Sequence, residues 1–405
     1  MKLSQPSSPE VAVAGHICLD LIPALLGETA VIPGKLLAVG PAVTSTGGAV
    51  SNTGLALHRL GFRTRLLGKV GDDLFGKSIL AIVGQYGKEL ADGMIVSAGE
   101  HSSYTVVVSP PGADRCFWHY SGTNDTFGED DLAPESLQGL RLFHLGYPTL
   151  MKRLYRNEGR ELEQLLRRVK EQGITVSLDL AEPDPSSEAA RQDWRAILAR
   201  ALPYTDIFLP SFEELLFLLR REQFMEMKRQ YGHDLLPHVE TELLRELTAE
   251  LLGGGAAVAG VKLGTGGLYL RTTEEAARLS PARMGAAAPA DPSSWRGREL
   301  LAPCFQVPVK GTTGAGDCTI AGFLGGMLKG LSLEDALLRA VAVGACNVEE
   351  TDALSGIPPW ECVNERLAGA WPQLPSVIRL EGWRYQQELL LYRSPLDAGQ
   401  VKDLK

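Results

Sequence analysis

Residues 309–317 read VKGTTGAGD and are followed at 318–328 by the small, apolar segment CTIAGFLGGML. The apolar segment predicts a buried helix, which places Gly314, Ala315 and Gly316 at the helix N-terminus. The first amides of a helix have no partner within the helix, and with the helix dipole they form a site for an anion such as phosphate. We expect a strand over about 305–309 to lead into this turn.

Asp317 directly follows the anion-binding turn, where a carboxylate repels a bound anion. One interpretation is structural, because an Asp in the first turn interacts favourably with the helix dipole. The other is chemical: the carboxylate takes the proton of an acceptor hydroxyl as that hydroxyl attacks a phosphoryl group. The Gly-Ala-Gly run beside Asp317 favours the second interpretation.

The preceding part of the chain alternates short apolar segments with amphipathic ones. This alternation predicts an α/β fold with a mostly parallel sheet between helices. Strands are expected at 11–14, 64–70, 142–145, 174–178, 207–209 and 256–262, and helices at 53–60, 79–90, 161–172, 194–201 and 213–220. Two β-rich segments, 104–108 and 116–120, predict a hairpin outside this sheet.

Composition and charge exclude several classes of protein. The 405 residues carry a formal net charge of −9 without a cluster of Lys and Arg, which argues against a nucleic-acid partner. The chain lacks a run of about 20 apolar residues, so no membrane span is expected. A polar N-terminal segment predicts no signal peptide. Six scattered cysteines without a C-x-x-C pair indicate reduced thiols and a cytoplasmic location.

The string TTGAGD at 312–317, followed by Ala-Gly-Phe at 321–323, resembles the second signature of the PfkB, or ribokinase-like, carbohydrate kinases. In that family the turn binds the transferring phosphoryl group and its Asp is the catalytic base. The resemblance implies these roles for Gly314, Ala315, Gly316 and Asp317. It also implies a three-layer α/β fold with a small β lid, ATP and Mg²⁺ as cofactors, and a small sugar or polyol as acceptor.

A second part of the resemblance concerns the acceptor. The string GGAVSN at 47–52 resembles the first signature of the family, which implies that Gly47, Gly48 and Asn52 contact the sugar. Asp20 follows the first strand at the spacing of a family Asp that binds substrate hydroxyls. A carboxylate is a natural acceptor for the hydroxyls of a polyol, although a strand-end turn also accommodates an Asp.

The resemblance further implies a nucleotide side. The string KLGTGG at 262–267 ends a strand, and the family uses this turn beside ATP; Lys262, Gly264, Thr265 and Gly267 are therefore expected there, together with Thr313. The family also has Asn-x-x-Glu, whose Glu lies near magnesium, where this chain has Ser211 and Glu214. A helix-capping box explains the same two residues, so both interpretations stay open.

Two features set limits on the resemblance. The segment GDDLFGKS at 71–78 matches the P-loop pattern G-x-x-x-x-G-K-[ST], but Asp72 and Asp73 would place two carboxylates in a phosphate cradle. We therefore interpret it as a structural turn.

Gly311 occupies a position where the family usually has an Asp that helps to hold a monovalent cation in some members, so dependence on a monovalent cation is in doubt.

These observations predict one kinase domain over residues 1–375, with lid segments at about 21–45 and 104–120, and a C-terminal tail at 376–405. Residues 221–239 are expected to be irregular, and residues 272–300 to form a mobile surface excursion. The lid suggests a homodimer. Two alternatives stay open: a nucleoside kinase on the same fold, and a regulator that binds a sugar or nucleotide without turnover.

Overall fold

The computed structural model describes residues 8–25, 33–108 and 116–399. The strands in this part of the chain are β1 (Val11–Gly15), β2 (Cys18–Pro23), β3 (Ala42–Gly47), β4 (Thr64–Gly71), β5 (Ile95–Ser97), β6 (Tyr104–Val108), β7 (Cys116–Tyr120), β8 (Leu142–Gly146), β9 (Thr175–Leu178), β10 (Ile207–Phe208), β11 (Val258–Lys262), β12 (Leu268–Thr272), β13 (Glu299–Ala302), β14 (Arg384–Gln386) and β15 (Leu391–Arg393).

The helices are α1 (Ala49–Arg59), α2 (Leu74–Gly84), α3 (Lys88–Asp92), α4 (Lys152–Glu171), α5 (Trp194–Ala201), α6 (Phe212–Leu219), α7 (Arg221–Tyr231), α8 (Thr241–Gly254), α9 (Pro281–Met284), α10 (Ala315–Leu328), α11 (Leu333–Val348) and α12 (Trp360–Ala368). None of the described helices is long and apolar enough to cross a membrane.

The central sheet has the strand order β14-β15-β13-β12-β11-β10-β9-β8-β1-β4-β5. The strands from β11 to β5 pair in parallel, whereas β12, β13, β15 and β14 extend the sheet with antiparallel pairs. In a parallel sheet all carboxyl ends lie at one edge, where ligands of open α/β folds bind. The turns after β1, β8, β9 and β11 therefore meet at that edge.

Two hydrophobic cores cover the two faces of the sheet. Along β1, Val11 and Val13 belong to one core, and Ala12 and Ala14 to the other. Successive side chains of a strand point to opposite faces, so the two cores lie on opposite sides of the sheet. The first core includes apolar residues of α1, α10 and α11, and the second includes residues of α4, α5, α6 and α8. The predicted arrangement of helices, sheet and helices is confirmed.

A second sheet forms the lid. Its strand order is β3-β2-β6-β7, with β2 parallel to β6 and the other two pairs antiparallel. The hairpin predicted from 104–108 and 116–120 is confirmed as β6 and β7. The parts of the expected lid at 26–32 and 109–115 lie outside the described residues.

The prediction for both inserted segments is wrong. Residues 221–239 contain helix α7 instead of irregular chain, and Phe224 and Met227 are buried there. Residues 272–300 are built into the core rather than forming a surface excursion, because Leu279, Met284 and Trp295 are buried. The apolar residues of these segments are too sparse to show the period of a helix or a strand. The few that are present nevertheless anchor the segments by being buried.

The local predictions also needed correction at two points. No strand forms over 305–309, where only Phe305 makes an isolated bridge to Gln373; Pro303 and Pro308 cannot donate to a sheet. The helix expected at 79–90 is two helices, α2 and α3. Helix α2 begins earlier than expected because the Asp73 side chain caps it by accepting a hydrogen bond from the Gly76 amide at 2.8 Å.

The segment after residue 375 adds β14 and β15 to the edge of the central sheet. It is tied down by Asp397, whose carboxylate is 2.8 Å from Arg298 Nε and 2.8 Å from Arg393 Nε. The Asp397 and Arg298 side chains are only 1% and 4% exposed. Removing one partner of such a pair leaves the other as an uncompensated buried charge.

We expect Asp397→Ala to lower the free energy of unfolding by about 3 to 5 kcal/mol, because Arg298 would lose a buried counter-charge. Urea denaturation measures this change. The matched control is Asp130→Ala, which removes an ion pair to Arg153 from a side chain that is 67% exposed and should cost less than about 1 kcal/mol. Equal losses for the two variants would contradict a stabilising role for the C-terminal segment.

Candidate active site

Asp317 lies in the first turn of α10, at the carboxyl edge of the sheet. Gly314 precedes the helix with φ 73°, a left-handed conformation that glycine adopts without strain. Asp317 itself is buried, with 3% of its surface exposed. The predicted helix over 318–328 is confirmed, and it places residues 314–317 at its N-terminus.

Three side chains donate hydrogen bonds to the Asp317 carboxylate. Asn52 Nδ2 lies 3.0 Å from Oδ2, and Thr53 Oγ1 lies 3.2 Å from Oδ1. Tyr147 donates its hydroxyl to Oδ2 at 2.7 Å. Donors of this kind fix the orientation of a buried carboxylate. The two glycine-rich segments at 47–52 and 312–317, far apart in the chain, thus meet at one carboxylate.

The sequence patterns did not predict a role in the site for Tyr147 or Thr53. Tyr147 follows β8 and has φ 64° and ψ 41°, a left-handed conformation that is uncommon for a residue with a side chain. Such strain occurs where surrounding contacts hold the residue in place, often at functional sites. A polar side chain just past the carboxyl end of a buried strand was the available signal for Tyr147.

Asp20, Gly47 and Gly48 lie where the lid joins the sheet. Asp20 is on β2, opposite Ser45 of β3, rather than just past the first strand. A Cβ atom on Gly47 would lie 2.4 Å from Asp20 Oδ2, so only glycine leaves room for this carboxylate. Burial raises the pKa of Asp20 to about 6. The backbone of Gly48 accepts a hydrogen bond from the Asn52 amide at 2.9 Å, which links this corner to α1.

A cavity of about 490 Å³ opens beside the start of α10. Its lining contains most of the residues expected on the nucleotide side: Glu214, Lys262, Gly264, Thr265, Gly267, Gly314, Ala315, Gly316 and Asp317. Apolar side chains of Phe305, Val307 and Val341 form another part of the wall. Thr312 lines the cavity, whereas the carbonyl of Thr313 accepts a hydrogen bond from Asn347 Nδ2 at 3.1 Å.

Lys262 places a positive charge at the end of this cavity that adjoins the N-terminus of α10. Its Nζ lies 2.8 Å from Asp179 Oδ1 and would be 3.5 Å from a Cβ atom on Gly316. Burial alone lowers the pKa of Lys262, but the carboxylates of Asp179 and Glu214 outweigh it and raise the pKa above its usual value. The ammonium group therefore stays charged beside the N-terminus of α10.

Glu214 forms the predicted capping box. Its backbone amide donates to Ser211 Oγ at 3.2 Å, and its Oε2 accepts a hydrogen bond from the Ser211 amide at 2.7 Å. The structural interpretation of this pair is therefore confirmed. The metal interpretation is compatible with it, because Glu214 also lines the cavity. Asp179 is a neighbouring acidic residue. Its Oδ2 atom is buried without a hydrogen-bond partner among the described residues.

The segment that matches the P-loop pattern has a structural role. Asp73 accepts hydrogen bonds from the Gly76 amide at 2.8 Å and from the Ser102 amide at 2.9 Å. Asp72 accepts one from the Gly99 amide at 3.1 Å. Asp73 thus occupies the Gly76 amide of the segment itself, and both carboxylates connect the segment to residues 99–102, which agrees with the sequence interpretation.

The family model for "pfkB family carbohydrate kinase" matches residues 8–360. The chain belongs to the pfkB family of carbohydrate kinases. It is therefore a phosphotransferase that acts on an alcohol group, as this family does. The match spans both glycine-rich segments and the lid.

Curated relatives agree with this assignment. The chain is 26% identical over 300 residues to an "Uncharacterized sugar kinase" of Archaeoglobus fulgidus, covering 74% of this chain and 97% of the relative. It is 26% identical over 382 residues to the "Probable fructokinase-6, chloroplastic" of Arabidopsis thaliana, covering 91% of this chain and 84% of that protein.

A solved structure supports the ribokinase-like fold. The structure of Arabidopsis thaliana ribokinase complexed with ribose and ATP superposes with a TM-score of 0.66 at 21% sequence identity. The match covers 90% of this chain and 100% of that chain. The predicted fold class is confirmed.

We expect Tyr147→Phe to lower kcat/KM for phosphotransfer about 10- to 100-fold, because a hydrogen bond to a charged group contributes about 1.5 to 3 kcal/mol. Steady-state kinetics measures this loss. Tyr392→Phe, at the far edge of the sheet on β15, is the control and should leave the rate unchanged. A rate for Tyr147→Phe equal to that of the control would show that the hydroxyl does not act on Asp317.

Proposed function

We propose that this kinase transfers the γ-phosphate of ATP to a hydroxyl of a sugar or related polyol, with Asp317 as the base. One observation carries the proposal: a buried, hydrogen-bonded carboxylate lies at the N-terminus of α10, on the wall of a cavity that Lys262 also lines. ATP as the phosphoryl donor is supported by the related fold of Arabidopsis ribokinase, whose structure contains ATP and ribose.

In the proposed reaction the acceptor oxygen attacks the γ-phosphorus, and its proton passes to the Asp317 carboxylate. The bond between the γ-phosphorus and its bridging oxygen breaks, and ADP leaves. Asn52, Thr53 and Tyr147 orient the carboxylate through their hydrogen bonds. A positioned general base of this kind contributes roughly 10²- to 10⁴-fold to the rate.

The negative charge of the moving phosphoryl group is met by backbone and side-chain donors. The helix dipole and the amides at the start of α10 favour an anion there, although the Ala315 amide donates to the Thr312 carbonyl at 3.3 Å in this structure. Lys262 adds a full positive charge next to Gly316, which offsets the repulsion between Asp317 and the phosphates. Such fixed charges stabilise a phosphoryl-transfer transition state without reorganisation.

The donor set beside the cavity fits Mg²⁺, which prefers oxygen ligands and is held by one or two carboxylates. Glu214, whose carboxylate lines the cavity, would hold it. The ion would neutralise charge on the phosphates. Because Gly311 replaces the expected Asp, we propose no site for a monovalent cation.

The acceptor side favours a polyhydroxylated molecule. Asp20 offers a carboxylate, and Asn52 Oδ1 is buried without a hydrogen-bond partner among the described residues. Such groups pair with sugar hydroxyls better than with the flat, partly apolar face of a nucleobase. A Cβ atom on Gly47 would collide with Asp20, and one on Gly48 would collide with His16, so glycine at both positions permits this close packing. A cytoplasmic location stays a prediction from the cysteine pattern.

We expect Asp317→Asn to reduce kcat by about 100- to 10,000-fold, since the amide keeps the shape of the side chain but cannot accept the proton. A coupled assay of ADP release over a panel of sugars, ketoacids and nucleosides provides the rates. The matched control is Asp335→Asn, another Asp in the first turn of a helix, on exposed surface.

Full turnover by Asp317→Asn would show that Asp317 is not the base. A panel in which nucleosides alone are phosphorylated would replace the sugar acceptor with a nucleoside. If no acceptor stimulates ADP release while sugars still raise the melting temperature, the protein is a binding regulator.

The lid is the proposed contact between two copies of the chain. Val43, Phe117 and Trp118 are 61%, 58% and 58% exposed, and all three lie on this small sheet. Val43 lies on one edge strand of this sheet, and Phe117 and Trp118 lie on the other, so both edges expose large apolar side chains of the kind that occur at interaction sites. We propose that the lid of one subunit pairs with the lid of a second.

We expect wild-type protein to sediment as a dimer, and the double variant F117D/W118D to sediment as a monomer, because charge on both faces of β7 opposes burial. Analytical ultracentrifugation distinguishes the two masses. Met225→Asp, at an apolar residue of α7 that is 54% exposed, is the control and should stay dimeric. A wild-type monomer would exclude this interface.

A further inference from the structure

Three side chains with nitrogen or sulphur ligand atoms meet where the lid joins the central sheet. His16 follows β1, Cys18 begins β2, and His119 lies on β7. Their ligand atoms lie within 4.8 Å of one another, and no other group of three His, Cys, Asp or Glu side chains in the described residues is arranged this way. His16 and Cys18 are each 3% exposed.

The spacing fits a tetrahedral metal ion. Zinc binds imidazole nitrogen at about 2.0 to 2.1 Å, and tetrahedral angles then place two such nitrogens about 3.3 Å apart. The Nε2 atoms of His16 and His119 are 3.2 Å apart. Both rings therefore place the same nitrogen near one point, and the Cys18 sulphur lies within 4.8 Å of a ligand atom of each histidine.

Neighbouring groups hold the ligands in this orientation. Thr105 Oγ1 lies 3.0 Å from His119 Nδ1, which leaves Nε2 directed at the cluster. Metal-binding histidines are commonly oriented by such a partner on the other ring nitrogen. Cys18 Sγ lies 3.5 Å from Thr105 Oγ1 and 3.3 Å from Asp20 Oδ1, so one threonine contacts two of the three ligands.

We propose that His16, Cys18 and His119 bind a transition-metal ion such as Zn²⁺, with a fourth position left for water or another ligand. Two imidazoles and one thiolate are a suitable donor set for zinc. The ion would link β7 of the lid to the loop between β1 and β2. It would therefore stabilise the lid against the central sheet whether or not Asp20 binds a sugar, so the proposal does not rest on the proposed kinase reaction.

The test uses the full chain, freed of metal with EDTA and then dialysed. Titration with Co²⁺ should give one equivalent of binding, with intense visible bands of a tetrahedral ion and a thiolate-to-cobalt band in the near ultraviolet. Zn²⁺ should then displace the Co²⁺. Cys18→Ser should lose the thiolate band. Calorimetry with Zn²⁺ should show at least about 10- to 100-fold weaker binding for His119→Ala, because even changes in outer partners cost that much.

The control is Cys116→Ser, which removes an exposed thiol on the same strand β7 and should keep the thiolate band. His119 is on an exposed strand, so His119→Ala tests the site even if Cys18→Ser does not fold. Absence of the thiolate band in the wild type at saturating Co²⁺, its persistence in Cys18→Ser, or unchanged zinc affinity in His119→Ala would each overturn the proposal.

Discussion

The Asp317 carboxylate is buried at the start of α10, and a buried charge of this kind is stable only when it is hydrogen-bonded. Asn52 and Thr53 of α1 and Tyr147 after β8 supply the donors. Parts of the chain far apart in sequence must therefore come together for this one group to be satisfied. The same contacts fix the position of the Asp317 carboxylate, which we propose as the base, and the packing of α1 against α10.

The parallel sheet explains why these segments meet. The turns after β1, β8, β9 and β11 lie at one edge, and they carry His16, Tyr147, Asp179 and the turn after Lys262 to the same region. Helix α10 directs its N-terminus to that edge. The result is a cavity with the Lys262 ammonium group and the N-terminus of α10 at one end and an apolar wall elsewhere. In the proposed site the lid sheet contributes Asp20, which lies on β2.

Sequence patterns predicted elements that local chemistry controls. Alternating apolar segments indicated the α/β fold, and the Gly-Ala-Gly run beside Asp317 indicated an anion-binding helix start. They failed where a few apolar residues anchor a polar segment, as Trp295 does within 272–300. They also failed at 305–309, where prolines prevent the expected strand. The roles proposed for Asp20, Asn52 and Glu214 stay predictions until activity is measured.

The sequence by itself determined the fold class, the family and the candidate base, because helix starts, strand periods and glycine turns are encoded within a few neighbouring residues. Only the tertiary structure decided which donors hold that base, that Lys262 pairs with Asp179, and that His16 lies 3.2 Å from His119. These pairs join residues 83 to 265 positions apart. No local pattern records such a contact, since it arises only when the sheet and lid are assembled.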